Sequence, residues 1–380
     1  MKTVFEGQRV AIVGAGPAGL TLARLLQRRG ANVAVYERDA SPHERDQGGS
    51  LDLHEDSGLL AIRAMGLEGS FNALARPEGQ HSRIFDKHGR QLVDLRAEDE
   101  NASRPEIDRA VLRDLLLASL NPGTAHWGCA LRRVAAVGSG YRLDFDNGCD
   151  AGADVVIGCD GAWSKVRPLR SSLQPSYGGI TFIETRLAEA DRRQPAVARF
   201  VGAGNVMAFG DNQGLLAQRN GDGSLRIYVA LRVAGDWVQT CGIDFVHPAQ
   251  ARERLLQRFA EWSPTVTDLL RLSDDIFLPR PLHTFPPQQA WHAAERVTLL
   301  GDAAHLMPPF TGRGANMAML DAVELAAHLT SGTHETLQAA LDAYERGMLA
   351  RMQSAIAETL AAQDLLFAPD IEDAVRMIAQ

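Results

Sequence analysis

The 380-residue chain reads as an α/β fold: a discontinuous lobe on a parallel sheet, a mostly β second lobe, and a long C-terminal helix. Three observations carry this reading. The chain opens as strand, glycine turn, helix and strand, the pattern of a βαβ unit. Residues 176–275 read mostly as alternating strands between Asn-Gly and Gly-Asp-Gly turns. A buried-type strand then returns near Arg296 and feeds another helix, so the first lobe is interrupted and resumed.

In chain order, Val10-Ala11-Ile12-Val13 forms the first strand, residues 20–29 a helix that Gly30 and Asn32 end, and Val33-Ala34-Val35-Tyr36 the second strand. From residue 77 to 100 the pattern loosens into polar, β-like pieces. Helical spacing resumes at Val111, Leu112, Leu115, Leu116 and Leu120. Residues 153–158 are a buried strand ending at Cys159-Asp160-Gly161, and a helix is expected from about Gly314 to Leu329. In the tail, Met348, Met352, Ile356 and Leu360 recur every four residues until Pro369, a helical stripe read as packing. The expected domains are residues 1–76, 101–175 and 276–331 for the first, 77–100 and 176–275 for the second, and 332–380 for a bridging helix.

Composition narrows the function. With 45% hydrophobic and 23% charged residues the chain is globular, and a net charge of −8 argues against nucleic acid as partner. Four cysteines without a CxxC pair point to a reducing cytoplasm rather than disulfide staples. Glu6 and Arg9 stand where a signal peptide needs an apolar core. No apolar run reaches the roughly 18 residues of a membrane span, and no histidine pair or cysteine cluster suggests a metal. A small-molecule site fits better.

Gly14-Ala15-Gly16-Pro17-Ala18-Gly19 follows a strand and opens a helix. Its glycines suit the sharp turn, the close approach of a pyrophosphate and tight helix packing of a Rossmann-like dinucleotide site, with Glu37 at the next strand end placed for a ribose. That motif leaves NAD and FAD open. The segment from Gly301 to Asn316 selects FAD: Asp302 at a strand end suits a ribityl hydroxyl, and the helix start at Gly314 to Asn316 can stabilise negative charge on a reduced flavin ring. Pro308, Pro309 and Phe310 would wall the site against water. Asp52 beside Gly48-Gly49 is read as a site residue, His305 and Cys159 as structural, and Arg226 equally as a surface residue or a pocket cation.

Gly14 to Gly19, Gly158-Cys159-Asp160-Gly161 through Arg167, and Gly301-Asp302 stand in the order found in the class A FAD-dependent monooxygenases of the p-hydroxybenzoate hydroxylase type, which the whole chain resembles. Within them it looks most like the tetracycline-inactivating flavin monooxygenases, on Tyr36-Glu37-Arg38-Asp39, Gly48 through His54, Pro105-Glu106-Ile107 with Arg109 and Arg113, Ser164-Lys165-Val166-Arg167 and Gly301 through Phe310. The resemblance implies FAD contacts from Glu37, Arg38, Asp52, Arg113 and Asp302, an encounter of NADPH with Arg45, and a cofactor role for Asp160, where the superfamily commonly has an aspartate. It also implies oxygen as co-substrate and a flavin C4a-hydroperoxide that oxygenates an aromatic or polycyclic, tetracycline-like molecule. With chemistry borne by the flavin, no catalytic side chain is expected. An oxidase or dehydrogenase without oxygen insertion is the alternative. The chain is expected to be monomeric. At positions that contact tetracycline in that group, Glu184 replaces a glutamine, Val206 an arginine, Arg226 a histidine and Ala362 an asparagine; Glu184, Arg226, Pro309 and Phe310 are the expected substrate contacts.

Overall fold

Apolar residues of Arg9–Val13 and Asn32–Tyr36 form adjacent parallel strands, and the helix Pro17–Gln27 crosses between them, burying Leu20, Leu22, Ala23 and Leu26. That helix begins at Pro17 rather than Leu20, because proline is well suited to the first helical position, where no N–H is needed. Gly30, at φ 79°, donates its N–H to Gln27 O at 2.9 Å and turns the chain toward the second strand. The structure, a computed structural model, describes residues 4–96, 104–369 and 371. The expected domain boundary between residues 100 and 101, and the expected segment ends at 1–3, 370 and 372–380, lie outside the described residues.

Five parallel strands run in the order Val297–Leu299, Val155–Gly158, Arg9–Val13, Asn32–Tyr36 and Ala125–His126. The sheet is therefore drawn from widely separated parts of the sequence. Its strands read as continuous apolar runs because both faces are covered: Pro17–Gln27 packs with the helix Arg313–Thr330, and a three-stranded antiparallel sheet of Leu131–Val137, Gly140–Phe145 and Asp150–Ala153 adjoins it.

A second, seven-stranded sheet has the order Leu278–Thr284, Ser176–Leu187, Leu225–Arg232, Gln213–Arg219, Asn205–Gly210, Ser82–Asp86 and Gln91–Leu95. Its last two strands are the β-like pieces expected after residue 77. Two expectations are corrected here. Residues 176–275 are not mostly strand, since they also hold the helices Ala190–Arg193, Pro195–Val201, Trp237–Thr240, Pro248–Arg258 and Pro264–Arg271; these are short, and three begin at a proline. The sheet also continues past residue 275, because Leu278–Thr284 pairs antiparallel with Ser176–Leu187.

The helix Leu337–Leu366 starts where Thr336 Oγ1 accepts from Ala339 N at 3.1 Å. Met348, Met352 and Ile356 are buried, as their spacing predicts. The helix ties the two sheets together: Tyr344 donates its hydroxyl to Leu299 O at 3.0 Å, and Gln363 Nε2 donates to Gly178 O at 2.7 Å.

Candidate active site

The glycine turn shows what each glycine is for. A Cβ on Gly14, at φ 106°, would lie 2.2 Å from Cys159 O, and one on Gly19 would lie 2.1 Å from Gly14 O, so both positions exclude side chains through backbone crowding. A Cβ on Gly16 meets nothing within 4 Å, and Gly16 lines the large cavity. Its backbone is therefore open to a ligand at the positive end of the helix Pro17–Gln27. Glu37 closes the far side of the turn: Oε2 accepts from Ala15 N at 2.6 Å and Oε1 from Asp39 N at 3.1 Å, and the residue still borders the cavity.

That cavity encloses about 1350 Å³ between the parallel sheet and the seven-stranded sheet. Gly14, Gly16, Glu37, Arg38, Arg45, Asp52, Asp160, Asp302, Pro309, Phe310 and Gly314 all border it. Asp160 Oδ2 accepts from Lys165 N at 2.7 Å while its Oδ1 is enclosed without a partner, and burial raises its pKa. Asp302 is open to the cavity and surrounded by protein elsewhere; that enclosure raises its pKa, with His305 and Arg109 opposing. Gly312, at φ 66°, begins the turn into Arg313–Thr330, and a Cβ there would come 2.9 Å from Asp52 Oδ1. The open glycine turn, the Glu37 carboxylate and the Asp302 carboxylate at a strand end have the chemistry to meet the pyrophosphate, ribose and ribityl groups of FAD.

Five expected site residues lie outside the cavity lining: Gly19, which packs against Gly14 O, and the four side chains that follow. Arg113 is buried against the back of the glycine turn, donating to Ala15 O at 3.3 Å, Pro42 O at 3.1 Å and Asp39 Oδ2 at 3.2 Å. The Asn316 amide is fully used within the protein: Nδ2 donates to Asp52 O at 2.8 Å and Gly312 O at 3.1 Å, while Oδ1 accepts from His54 N at 2.8 Å and Gly58 N at 3.2 Å. Glu184 and Arg226 satisfy one another, and Arg226 also pairs with Asp46 at 2.6 Å. Both lie outside the cavity lining; Arg45, by contrast, borders the cavity but is paired with Asp39 at 3.0 Å.

His305 and Cys159, both read as structural, differ in placement: His305 is enclosed by protein, whereas Cys159 borders the cavity. His305 is fully buried and pairs with Asp321, which raises its pKa against the opposing effect of burial. Burial pushes the Cys159 thiol well above its ordinary value.

Glu106, Arg109 and Trp163, which stand in the motifs of the resemblance but were given no site role, are on the cavity wall with Gln218 and Tyr228, which motif reading missed. Glu106 is 5% exposed and its pKa is pushed up to about 7, chiefly by burial. Arg109 has no carboxylate partner among the described residues. Tyr228 stacks obliquely on Phe182 at 5.2 Å, and Phe182 meets Phe310 edge-on at 5.9 Å, so an aromatic chamber adjoins the proposed flavin end. Alternation along Leu225–Arg232 is the one sequence signal that could have singled out Tyr228. Among the described residues no group of three metal-ligating side chains occurs, and no helix is long and apolar enough to cross a membrane.

A family model described as an FAD binding domain matches residues 8–183 and 287–359. A monooxygenase from Penicillium thymicola, penA, is 32% identical over 89% of this chain and 90% of its own length. The chain belongs to the class A flavin monooxygenases. This flavin monooxygenase, of the aromatic hydroxylase type, therefore carries FAD. Its fold is shared with Klebsiella pneumoniae HpxO solved with FAD and uric acid (TM-score 0.80, 22% identity, 99% of this chain and 92% of that one). It is shared too with the tetracycline destructase Tet(51) (TM-score 0.70, 18% identity, 98% and 95%).

Proposed function

We propose that this flavin monooxygenase uses NADPH and oxygen to hydroxylate or otherwise oxygenate an aromatic or polycyclic small molecule held in the chamber of Phe182, Tyr228 and Phe310. The observation that carries the reading is continuity: one cavity is bordered by Gly16, Glu37 and Asp302 at one end and by Phe182, Tyr228 and Phe310 at the other. Bound FAD supplies the redox chemistry, taking electrons from the nicotinamide and delivering an activated oxygen atom. The chain's own groups do the rest. The open backbone at Gly16 receives the pyrophosphate, Glu37 a ribose hydroxyl and Asp302 the ribityl chain. The start of Arg313–Thr330 stabilises negative charge on the ring. Pro308, Pro309 and Phe310 exclude water from the reacting end. Arg38 and Arg45 offer cationic character at the rim for NADPH. A cytoplasmic location belongs to the same reading, supported by four free cysteines.

The test is to purify the yellow protein and screen phenolic and polycyclic compounds for stimulated NADPH oxidation with a product heavier by one oxygen atom. Rapid NADPH consumption with no oxygenated product for any ring compound favours the oxidase or dehydrogenase reading instead.

A further inference from the structure

The cavity wall where the two sheets meet carries a carboxyl group that the proposed FAD contacts leave unused. Glu106 lies on the strand Glu106–Asp108, opposite Asp52 in a two-stranded ribbon. Its Oε2 is held from two sides, accepting from Ser50 Oγ and from Gln218 Nε2 at 3.3 Å. Arg76 Nη2 donates to the same Ser50 Oγ at 3.1 Å, and its charge is balanced by Asp108 at 2.7 Å. Gly79 packs so closely on the Glu106 stem that a Cβ there would come 2.9 Å from Glu106 Cβ, which fixes the side chain. Oε1 accepts no hydrogen bond from the described residues, and it is not among the enclosed polar atoms that lack a partner. It keeps access to the cavity that Glu106 borders.

Here one oxygen is anchored by two donors while the other is left for a ligand. We propose that Glu106 is a catalytic residue that takes the proton of an ionisable ring hydroxyl on the substrate, seated against Oε1. In that step the substrate O–H bond breaks and an O–H bond forms at Glu106 Oε1. The electron pair stays on the substrate oxygen, where the ring delocalises it, and the negative charge moves from carboxylate to ring. The electron-rich ring is then the better acceptor for an electrophilic oxygen. This role rests on the proposed function above.

The electrostatics support the geometry. Burial and the Asp52 charge raise the pKa of Glu106 to about 7, while Ser50, Arg76 and Gln218 pull it down. A base near the working pH both accepts and returns a proton readily.

The experiment uses the FAD-loaded, oxidised protein without NADPH, so that nothing turns over, and 4-methylphenol as probe, whose hydroxyl stays protonated in bulk as that of tyrosine does. If the probe donates to an ionised Glu106, its dissociation constant falls about tenfold between about pH 6 and about pH 8, following the carboxyl ionisation. In Glu106→Gln the profile is flat over that range, with the flavin absorption spectrum unchanged. Should that variant fail to fold, Glu106→Asp withdraws the carboxylate from the ring, weakening binding while keeping a pH break. Coincident profiles in wild type and variant overturn the proposal, as does a wild type that does not bind the phenol. NADPH oxidation is read on the same samples with the substrate screen. Its failure brings down the proposed function, whereas its survival beside coincident profiles brings down only the role of Glu106.

Discussion

Asp321 and His305 form a fully buried ion pair beneath the turn that carries Asp302. The same Asp321 Oδ2 accepts from Gly301 N at 3.0 Å, and Asp321 Oδ1 takes Arg351 Nη2 from the terminal helix at 2.7 Å. One carboxylate thus fixes a cofactor turn, the helix Arg313–Thr330 that bears it and the long helix behind. Replacing it as Asp321→Asn leaves the fully buried His305 with a weakened partner, while the partly exposed Arg351 keeps its pairing with Glu324. The expected loss is about 3–5 kcal/mol, read as a lower urea midpoint, with flavin lost more readily on gel filtration because Gly301 is no longer held.

Asp302 itself touches no described side chain at hydrogen-bond distance and faces the cavity. Its removal therefore separates binding from folding. Asp302→Ala is expected to fold with near-normal stability and to emerge from gel filtration colourless. A variant that stays fully yellow assigns the ribityl contact to another group.

The two outer glycines and the middle one of the turn should respond differently. Gly16→Ala adds a methyl into open cavity at a φ of −81° that alanine accepts, so the unliganded stability should change by only about 0.5 kcal/mol. Flavin affinity should fall sharply. Gly19→Ala drives a Cβ into Gly14 O, and the expected result is loss of folded protein, seen as aggregation or a collapsed thermal midpoint.

These contrasts also mark what the sequence could reveal. The glycine turn, Glu37 and Asp302 stood out in the sequence because each sits at a strand end or strand-to-helix turn that the local pattern shows, although Glu37 meets Ala15 and Gly14 is crowded by Cys159 only in the folded sheet. Arg226 was ambiguous for the opposite reason. Its partners, Asp46 and Glu184, arrive from distant parts of the chain, and only the pairing of Ser176–Leu187 with Leu225–Arg232 decides that they neutralise one another behind the wall. Arg113 and Asn316 were read as cofactor contacts, whereas their donors hold backbone: Ala15 O and Pro42 O for Arg113, Asp52 O and Gly312 O for Asn316, of which Pro42 and Asp52 lie far from them in sequence. Glu106 carries no motif signal for its raised pKa, since that arises from burial between Ser50, Gly79 and Gln218.

Glu106 also has a stability signature. Its pKa is 4.5 when unperturbed and about 7 in the fold, so between these values the folded state binds more protons than the unfolded state. Stability from this group is fully present below about pH 4.5, declines as pH rises through about 7 and is level above. Glu106→Gln lacks that decline. Urea midpoints of the wild type and the variant, compared at about pH 5 and about pH 8, should show the variant gaining on the wild type at the higher pH.

Tetracyclines are expected to be poor substrates despite the shared fold with a tetracycline destructase. Val206 borders the cavity with an apolar side chain, beside Met207 and Leu216, and Ala362 contributes no polar group. Glu184 and Arg226, which might have rebuilt a polar edge, are engaged with each other, with Asp46 and with Arg280. Each missing hydrogen bond to a polar ligand edge costs about 1–3 kcal/mol, so several together prevent productive placement. The aromatic part of the wall, Phe182, Tyr228 and Phe310, suits a flat ring, with polar groups such as Glu106, Arg109 and Gln218 beside it. Under the proposed use of NADPH and oxygen, reduction depends on the flavin half and is expected to proceed, so hydrogen peroxide should accumulate in place of oxygenated antibiotic. The measurement is the ratio of oxygenated product to NADPH consumed on a tetracycline. A ratio near one at low substrate concentration would mean that the ion cluster opens to meet the ligand, and Arg226→Ala should then abolish that turnover while sparing flavin reduction.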